Sequence, residues 1–413
     1  MIKKIFSNNT HIIKNYFYLS LVQGTNFIIP LITYPYLVRT LDVKNYGIVM
    51  MAGSLMVFLN IFVDFGFNIS ATREVSLLRN KKDNLSRYYW NVFFTKFILI
   101  VLAFIILLIV TSVVPKLETH QKIYLYSFGI VIGNNIFPAW FFQGIEKMKI
   151  ITLMNVLAKV TFLILIFLFV KKPSHYVIVP VLNSLGFIVS GVLGLLLSLK
   201  YVHFVLPKAK IMKHFIYENR SLIISNFATS IYTSGNTFIL GLISGENIAG
   251  VYSSMEKLVM AIKTIYTPLY QAIFPWLSTN TKQQIINYIR VLIKPVSLSG
   301  ILLVIFIFLF ADKILDFIYD NKTIVAYSNV FRILGLIAFF SALNMMYVSL
   351  MFPALKKYNY RMIPMVLGGI INLILAVIGA YYFGIYGVAV AAVLAEFSIL
   401  IFAYFYSVKL QHE

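Results

Sequence analysis

Apolar runs long enough to cross a bilayer recur along almost the whole chain, and the polar links between them are short. They fall at about 15–37, 46–65, 90–114, 123–142, 152–170 and 176–199, and again at about 221–243, 250–277, 291–310, 327–352, 362–382 and 387–408. A helix needs about 20 residues to span the hydrocarbon core. Lipid offers no partner to an open backbone, so every run is expected to be helical. Twelve spans leave little of the 413 residues for a soluble domain. Charged residues make up 12% of the chain, against about 25% in soluble proteins. The fold class that follows is an all-α polytopic membrane protein.

The formal charge of +21 would point to nucleic acid in a soluble protein. Here the excess sits in the links. With the start of the chain inside, Lys and Arg of the links divide 22 to 8 in favour of the cytoplasmic side. The rich side holds Lys3, Lys4, Lys14, the stretch 73–87, Lys147, Lys149, the stretch 200–220, residues 282–294, Lys356, Lys357, Arg361 and Lys409. The positive-inside rule then puts both termini in the cytoplasm, with no nucleic-acid partner. Met1-Ile-Lys-Lys resembles the start of a signal peptide, but the apolar run after it is long and lacks a small-x-small site, so a retained span is expected.

The two halves read as repeats. Asn15 to Gly47 and Glu218 to Gly250, 203 residues apart, share the order helix, short link, then Tyr46-Gly47-Ile-Val or Ala249-Gly250-Val-Tyr. Six spans per half give both halves one orientation, a transporter architecture with the passenger between them. The expected bundles are 1–205 and 206–413, joined through the basic link 200–220. Prolines at 30, 35, 138, 180, 268, 275 and 364 each remove a helix hydrogen bond and are expected kinks.

Chemistry for catalysis is missing. The chain has no P-loop, no H-E-x-x-H and no cysteine, and its histidines lie at span ends or in links. Neither an ATP-driven pump nor a cofactor enzyme is expected. A membrane-embedded polymerase or ligase would need a larger outward loop than these links provide.

Eight ionisable residues nevertheless sit within apolar runs: Asp64, Lys96, Lys159, Glu256, Lys257, Lys263, Arg332 and Glu396. Each costs about 2.5–3.5 kcal/mol at a bilayer centre unless it is offset. Arg39 stands at the outer end of the first run. Arg39, Lys96, Lys159, Lys257, Lys263 and Arg332 are the candidate cationic contacts for an anionic passenger; interface anchoring and snorkelling are the alternatives. Glu256, Glu396 and Asp64 are the candidates for ion or proton coupling. Glu256 and Lys263 share a helix face, where an internal ion pair is the plainer reading. Asp64 is expected to cap its helix or pair with Arg73.

Local motifs add to this. The first two runs contain Pro30-Leu-Ile-Thr-Tyr-Pro35-Tyr36-Leu37-Val-Arg39, Tyr46-Gly47 and Asp64-Phe65-Gly66. The fourth ends Trp140-Phe141-Phe142-Gln143-Gly144-Ile-Glu146-Lys147-Met148, and the eighth reads Tyr252-Ser-Ser-Met-Glu256-Lys257-Leu258. Over nearly its whole length the chain resembles the bacterial O-antigen and repeat-unit flippases, the Wzx group of the MOP transporter superfamily. Asp42 departs from the glycine usual there. The resemblance implies two six-helix bundles facing each other as a V, in the bacterial inner membrane. It implies an undecaprenyl-diphosphate-linked oligosaccharide as passenger, moved to the periplasmic leaflet by alternating access. It also implies membrane lipids and the pathway's polymerase and chain-length proteins as partners. The rival within the same fold is a multidrug or ion-coupled exporter, for which acidic rather than basic cavity residues are expected.

Overall fold

The computed structural model describes residues 10–412 except 265, 268, 269, 271, 272, 275, 276 and 279. The basic start at Lys3 and Lys4, and the expected kinks at Pro268 and Pro275, lie outside the described residues. Among the described residues there are helices and no strands. In chain order they are α1 (Thr10–Leu41), α2 (Val43–Asp64), α3 (Phe67–Leu78), α4 (Lys82–Val113), α5 (Gln121–Ile136), α6 (Ala139–Gly144), α7 (Met148–Phe169) and α8 (Val179–Ser198). Then come α9 (Ala209–Ser244), α10 (Glu246–Thr264), α11 (Lys282–Tyr319), α12 (Ser328–Asn344) and α13 (Tyr358–His412), with short turns between. A π-helical stretch, Met345–Met351, continues α12. The 55-residue α13 is two helices joined at Gly384, whose φ of 56° and ψ of −134° turn the chain.

Seven helical stretches among the described residues are long and apolar enough to cross a membrane. Their surfaces agree with that reading. On α4, Ile98, Val101, Leu102, Ile105 and Ile109 are exposed, while Leu99, Ala103 and Leu107 are buried. An apolar stripe left outside an apolar core suits lipid, not water.

Prolines act in different ways. Pro138 precedes α6 and separates it from α5. Pro180 does not kink a helix: it sits in the first turn of α8, where its missing N–H has no helical partner to lose. Pro364 lies inside α13, and α11 contains a further proline, Pro295. Helix α1 continues through Pro30 and Pro35.

The chain groups into two compact units: the described parts of Met1–Thr33 and Leu55–Phe227 form one, and those of Tyr34–Ser54 and Ala228–Glu413 the other. In the first, α8 packs on α5 through glycines. A Cβ on Gly191 would lie 2.4 Å from the Gly133 carbonyl oxygen, so the small face of α8, which includes Gly194 against Phe137, is filled from within the unit. The Trp140–Met148 motif docks α3. Trp140, Phe141 and Phe142 are buried, the Thr72 hydroxyl donates to the Trp140 carbonyl at 3.2 Å, and Gly144 meets Val75. The motif then turns at Glu146 (φ 60°), where the Lys147 N–H donates to the Phe142 carbonyl at 2.8 Å. That is a Schellman closure with a non-glycine residue in the left-handed position. The link 200–208 is pinned to α4: Trp90 Nε1 donates to the His203 carbonyl at 2.8 Å and the Lys208 N–H to Asn91 Oδ1 at 2.7 Å.

The second unit contains a local two-fold. Asp42 (φ 67°) and Gly245 (φ 95°) break the chain before α2 and α10. The Tyr46 N–H donates to Asp42 at 3.0 Å, and the Ala249 N–H to Gly245 at 3.1 Å. Asp42 is tolerated there because its carboxylate accepts the Asn45 N–H at 2.9 Å. Helices α2 and α10 then cross at glycines. A Cβ on Gly47 would lie 1.9 Å from the Glu246 oxygen, and one on Gly250 2.1 Å from the Val43 oxygen. Each of these residues and its counterpart are 203 positions apart, the offset read from the sequence. A methyl group at Gly250 would meet the Val43 carbonyl oxygen first, and backbone cannot rotate away. Gly250→Ala is therefore expected to destabilise the protein by about 1–3 kcal/mol. Gly53→Ala, where nothing lies within 4 Å, should leave the melting temperature unchanged or slightly raised. Thermal melts of the purified variants in detergent check both.

Candidate functional site

Four helices of the second unit bring polar side chains to one place in an apolar interior. Helix α9 supplies Asn236 and Thr237, α10 Tyr252, Glu256 and Lys263, α12 Asn344 and α13 Glu396. Lys263 Nζ lies 2.5 Å from Glu396 Oε1. The other carboxylate oxygen of Glu396 accepts from Asn344 Nδ2 at 2.8 Å, and the same nitrogen donates to the Glu396 carbonyl at 2.9 Å. Glu256 Oε2 accepts from the Thr237 hydroxyl at 2.9 Å, and Asn236 Nδ2 donates to the Tyr252 hydroxyl at 3.2 Å. Asn236, Tyr252, Glu256, Lys263 and Glu396 border a cavity of about 20 Å³. That is room for one water molecule or small ion. The amide oxygens of Asn236 and Asn344 are buried and have no hydrogen-bond partner. The lining of the cavity thus holds two carboxylates, the open amide oxygen of Asn236 and the Lys263 ammonium, a set of groups that can hold one water molecule or small cation.

The local backbone favours this arrangement. Asn344 is the last residue of α12, directly before the π-helical turn Met345–Met351. Such turns shift side-chain register and frequently accompany functional sites. On α10, Glu256 and Lys263 are seven residues apart and so lie on the same side.

The remaining candidates go elsewhere. Lys257 is half-buried, with its ammonium 5.9 Å from the centre of the Tyr34 ring. Arg39 donates to the Phe317, Ile318 and Tyr319 carbonyls at 3.2, 2.8 and 3.2 Å, which caps the C-terminus of α11. Arg332 is bound to Asp312, to the Ser328 hydroxyl, to Asn329 and to the Phe308 carbonyl. Beyond the apolar run 291–310, the hydrogen bond from Ser328 and the Arg332 guanidinium hold the Asp312 carboxyl below the usual carboxylate range. In the first unit Lys96 is buried and pairs with Asp64 at 3.2 Å. Asp64 therefore does not take Arg73 as its partner; Arg73 lies 4.0 Å from Glu74. Lys159 is half-buried on α7. The expected Glu256–Lys263 ion pair is likewise replaced, since Lys263 reaches Glu396 across the bundle. Asn236, Thr237 and Asn344 are not among the candidates that the sequence offers, and Tyr252 enters there only within a motif. Asn236 and Asn344 do interrupt apolar runs, and that was the available signal.

Comparison with known proteins gives consistent matches. A family model described as polysaccharide biosynthesis protein matches residues 12–281. A protein of Escherichia coli (strain K12), named provisionally as an O-antigen transporter, is 33% identical over 275 residues, or 66% of this chain and 66% of that protein. A protein of the same provisional name from Shigella dysenteriae is 26% identical over 394 residues, 94% of this chain and 98% of its own. Among solved structures, the lipid II flippase MurJ in an inward closed conformation aligns with a TM-score of 0.70 at 16% identity, covering 96% of this chain and 87% of its own. An inward-facing multidrug resistance MATE transporter of the MOP superfamily gives 0.65 at 15% identity, covering 93% and 99%. At such identities these two structures speak to fold alone.

Removing one member of a buried ion pair leaves the other uncompensated. Lys263→Met alone is expected to destabilise the protein by about 3–5 kcal/mol, and Lys263→Met with Glu396→Leu by much less. A double-mutant cycle of thermal melts checks the coupling; additive effects would contradict it.

Proposed function

This chain belongs to the polysaccharide biosynthesis protein family, and from that premise we propose that it is a flippase for lipid-linked oligosaccharides. The passenger is an undecaprenyl-diphosphate-linked repeat unit, carried from the cytoplasmic to the periplasmic leaflet of the bacterial inner membrane by alternating access. The transport unit is two bundles of six helices, 1–205 and 206–413, with both termini cytoplasmic. The protein is a transporter and not an enzyme. The observation that carries this reading is the family match over residues 12–281, together with relatives named as O-antigen transporters.

The charged residues supply the mechanism. A diphosphate brings negative charge into a low-dielectric space, where lysines attract it more strongly than in water. Lys257 is the foremost contact, because its ammonium faces an aromatic ring and no carboxylate lies within salt-bridge distance among the described residues. Lys159, Lys96, Arg39 and Arg332 are further contacts that release their present partners as the helices move. Glu256 makes no salt bridge among the described residues and lies beside the small cavity. It exchanges a proton or cation there while Glu396 and Lys263 keep each other neutral, and Asp64 does the same for Lys96. The basic majority among these groups disfavours the rival reading of a cationic drug exporter, which the MATE-like fold would otherwise allow.

The test is made in the native host with the gene deleted and restored from a plasmid. Deletion should accumulate single lipid-linked repeat units and abolish surface polymer, and the plasmid should reverse both. Lys257→Gln should reach normal protein levels and restore polymer poorly. Unchanged glycans with altered dye or drug sensitivity would sink the flippase reading.

A further inference from the structure

The basic face of the first unit carries a second cavity, far in sequence from the α10 and α13 charges. It measures about 340 Å³ and is bordered by Arg79, Asn80, Lys82, Lys147 and Tyr201. The Trp140–Met148 motif builds it. The left-handed turn at Glu146 closes α6 and delivers Lys147, while Glu146 holds Arg79 by an ion pair of 2.8 Å. Tyr201 packs near Phe141 and Phe142, with ring centres 6.2 and 6.4 Å away.

Three features make the cavity attractive to an anion. Lys82 and Lys147 have no ion-pair partner among the described residues, and Glu146 offsets only Arg79. The nearby carboxylate of Asp83 lies 3.6 Å from His203. Two helices of 32 and 22 residues, α4 and α7, begin at this cavity, and neither start is capped by a side chain. Their first N–H groups and dipoles add to the positive potential.

Its depth selects the source of the anion. Trp90 lies eight residues along α4 from Lys82, roughly 12 Å away. Trp90 stacks edge-on with the exposed Phe204 at 4.9 Å, and Leu206 beside them is 74% exposed. Such an aromatic and apolar cluster marks the level where a bilayer gives way to headgroups. The cavity thus lies on the headgroup side of that level.

We propose that this cavity binds the phosphate headgroup of an anionic phospholipid of the surrounding leaflet, separately from the transported molecule. Basic pockets between membrane helices on the cytoplasmic side are suited to such lipids. The occupied site ties α3, α4 and α7 together at one face of the unit.

Native mass spectrometry of the purified, delipidated full-length protein tests this, with phosphatidylglycerol and phosphatidylcholine of identical chains as probes. The wild type should retain phosphatidylglycerol preferentially. The preference should fall by about fivefold for each of Lys82→Gln and Lys147→Gln. Both side chains are exposed, so the lipid-free melting temperature should not move. Lys171→Gln, an equal loss of charge in another link, should keep the preference. An unchanged preference in the Lys82 and Lys147 variants would overturn the proposal. So would millimolar inorganic phosphate displacing the lipid and remaining bound, since the ligand would then be free phosphate.

Discussion

A charge among apolar helices is tolerated only when something answers it, and that constraint organises this protein. Lys96 is answered by Asp64 within the first unit, and Lys263 by Glu396 within the second. Arg332 is answered by Asp312 near the end of α11. Each pair joins two different helices, so each helps to fix the bundle as well as neutralise it. Such pairs add specificity more than stability, because desolvation offsets most of their attraction. What stays unanswered is informative. The open amide oxygen of Asn236 and the Glu256 carboxylate, which makes no salt bridge among the described residues, stand beside a cavity of single-molecule size. They leave capacity for a charge that comes and goes.

The class was well legible in the sequence. Helical class followed from apolar run length, because lipid leaves the backbone no other choice. The 203-residue offset rested on a few identities and gained its meaning from geometry. Asp42 and Gly245 share a left-handed conformation, and Gly47 and Gly250 make reciprocal contacts across one crossing. That explains glycine at both positions: neither has space for a Cβ. It also explains why Asp42 survives where its counterpart is Gly245, since its carboxylate caps the next helix.

Partner choice was much less legible. Residues seven apart on one helix face are neighbours in sequence terms, so Glu256 and Lys263 looked like a pair. The real partner of Lys263 is 133 residues away, and no local rule finds it. Asp64 and Lys96 have the same history, as do Arg39 and the carbonyls that end α11. Long side chains reach across a bundle, and which helices face each other is not written in periodicity. The neutral residues Asn236 and Asn344 carry no charge to mark them, although an amide buried in an apolar helix needs partners for the same reason.

The central claim is that this chain moves a lipid-linked diphosphate sugar between leaflets. The most direct measurement reconstitutes the purified protein in liposomes with a labelled lipid-diphosphate oligosaccharide in the inner leaflet. A membrane-impermeant reagent outside then reports its arrival with time. The account predicts transfer well above protein-free liposomes, and a marked loss of it in Lys257→Gln. Transfer no faster than in protein-free liposomes, with uptake of a cationic dye by the same vesicles, would contradict it.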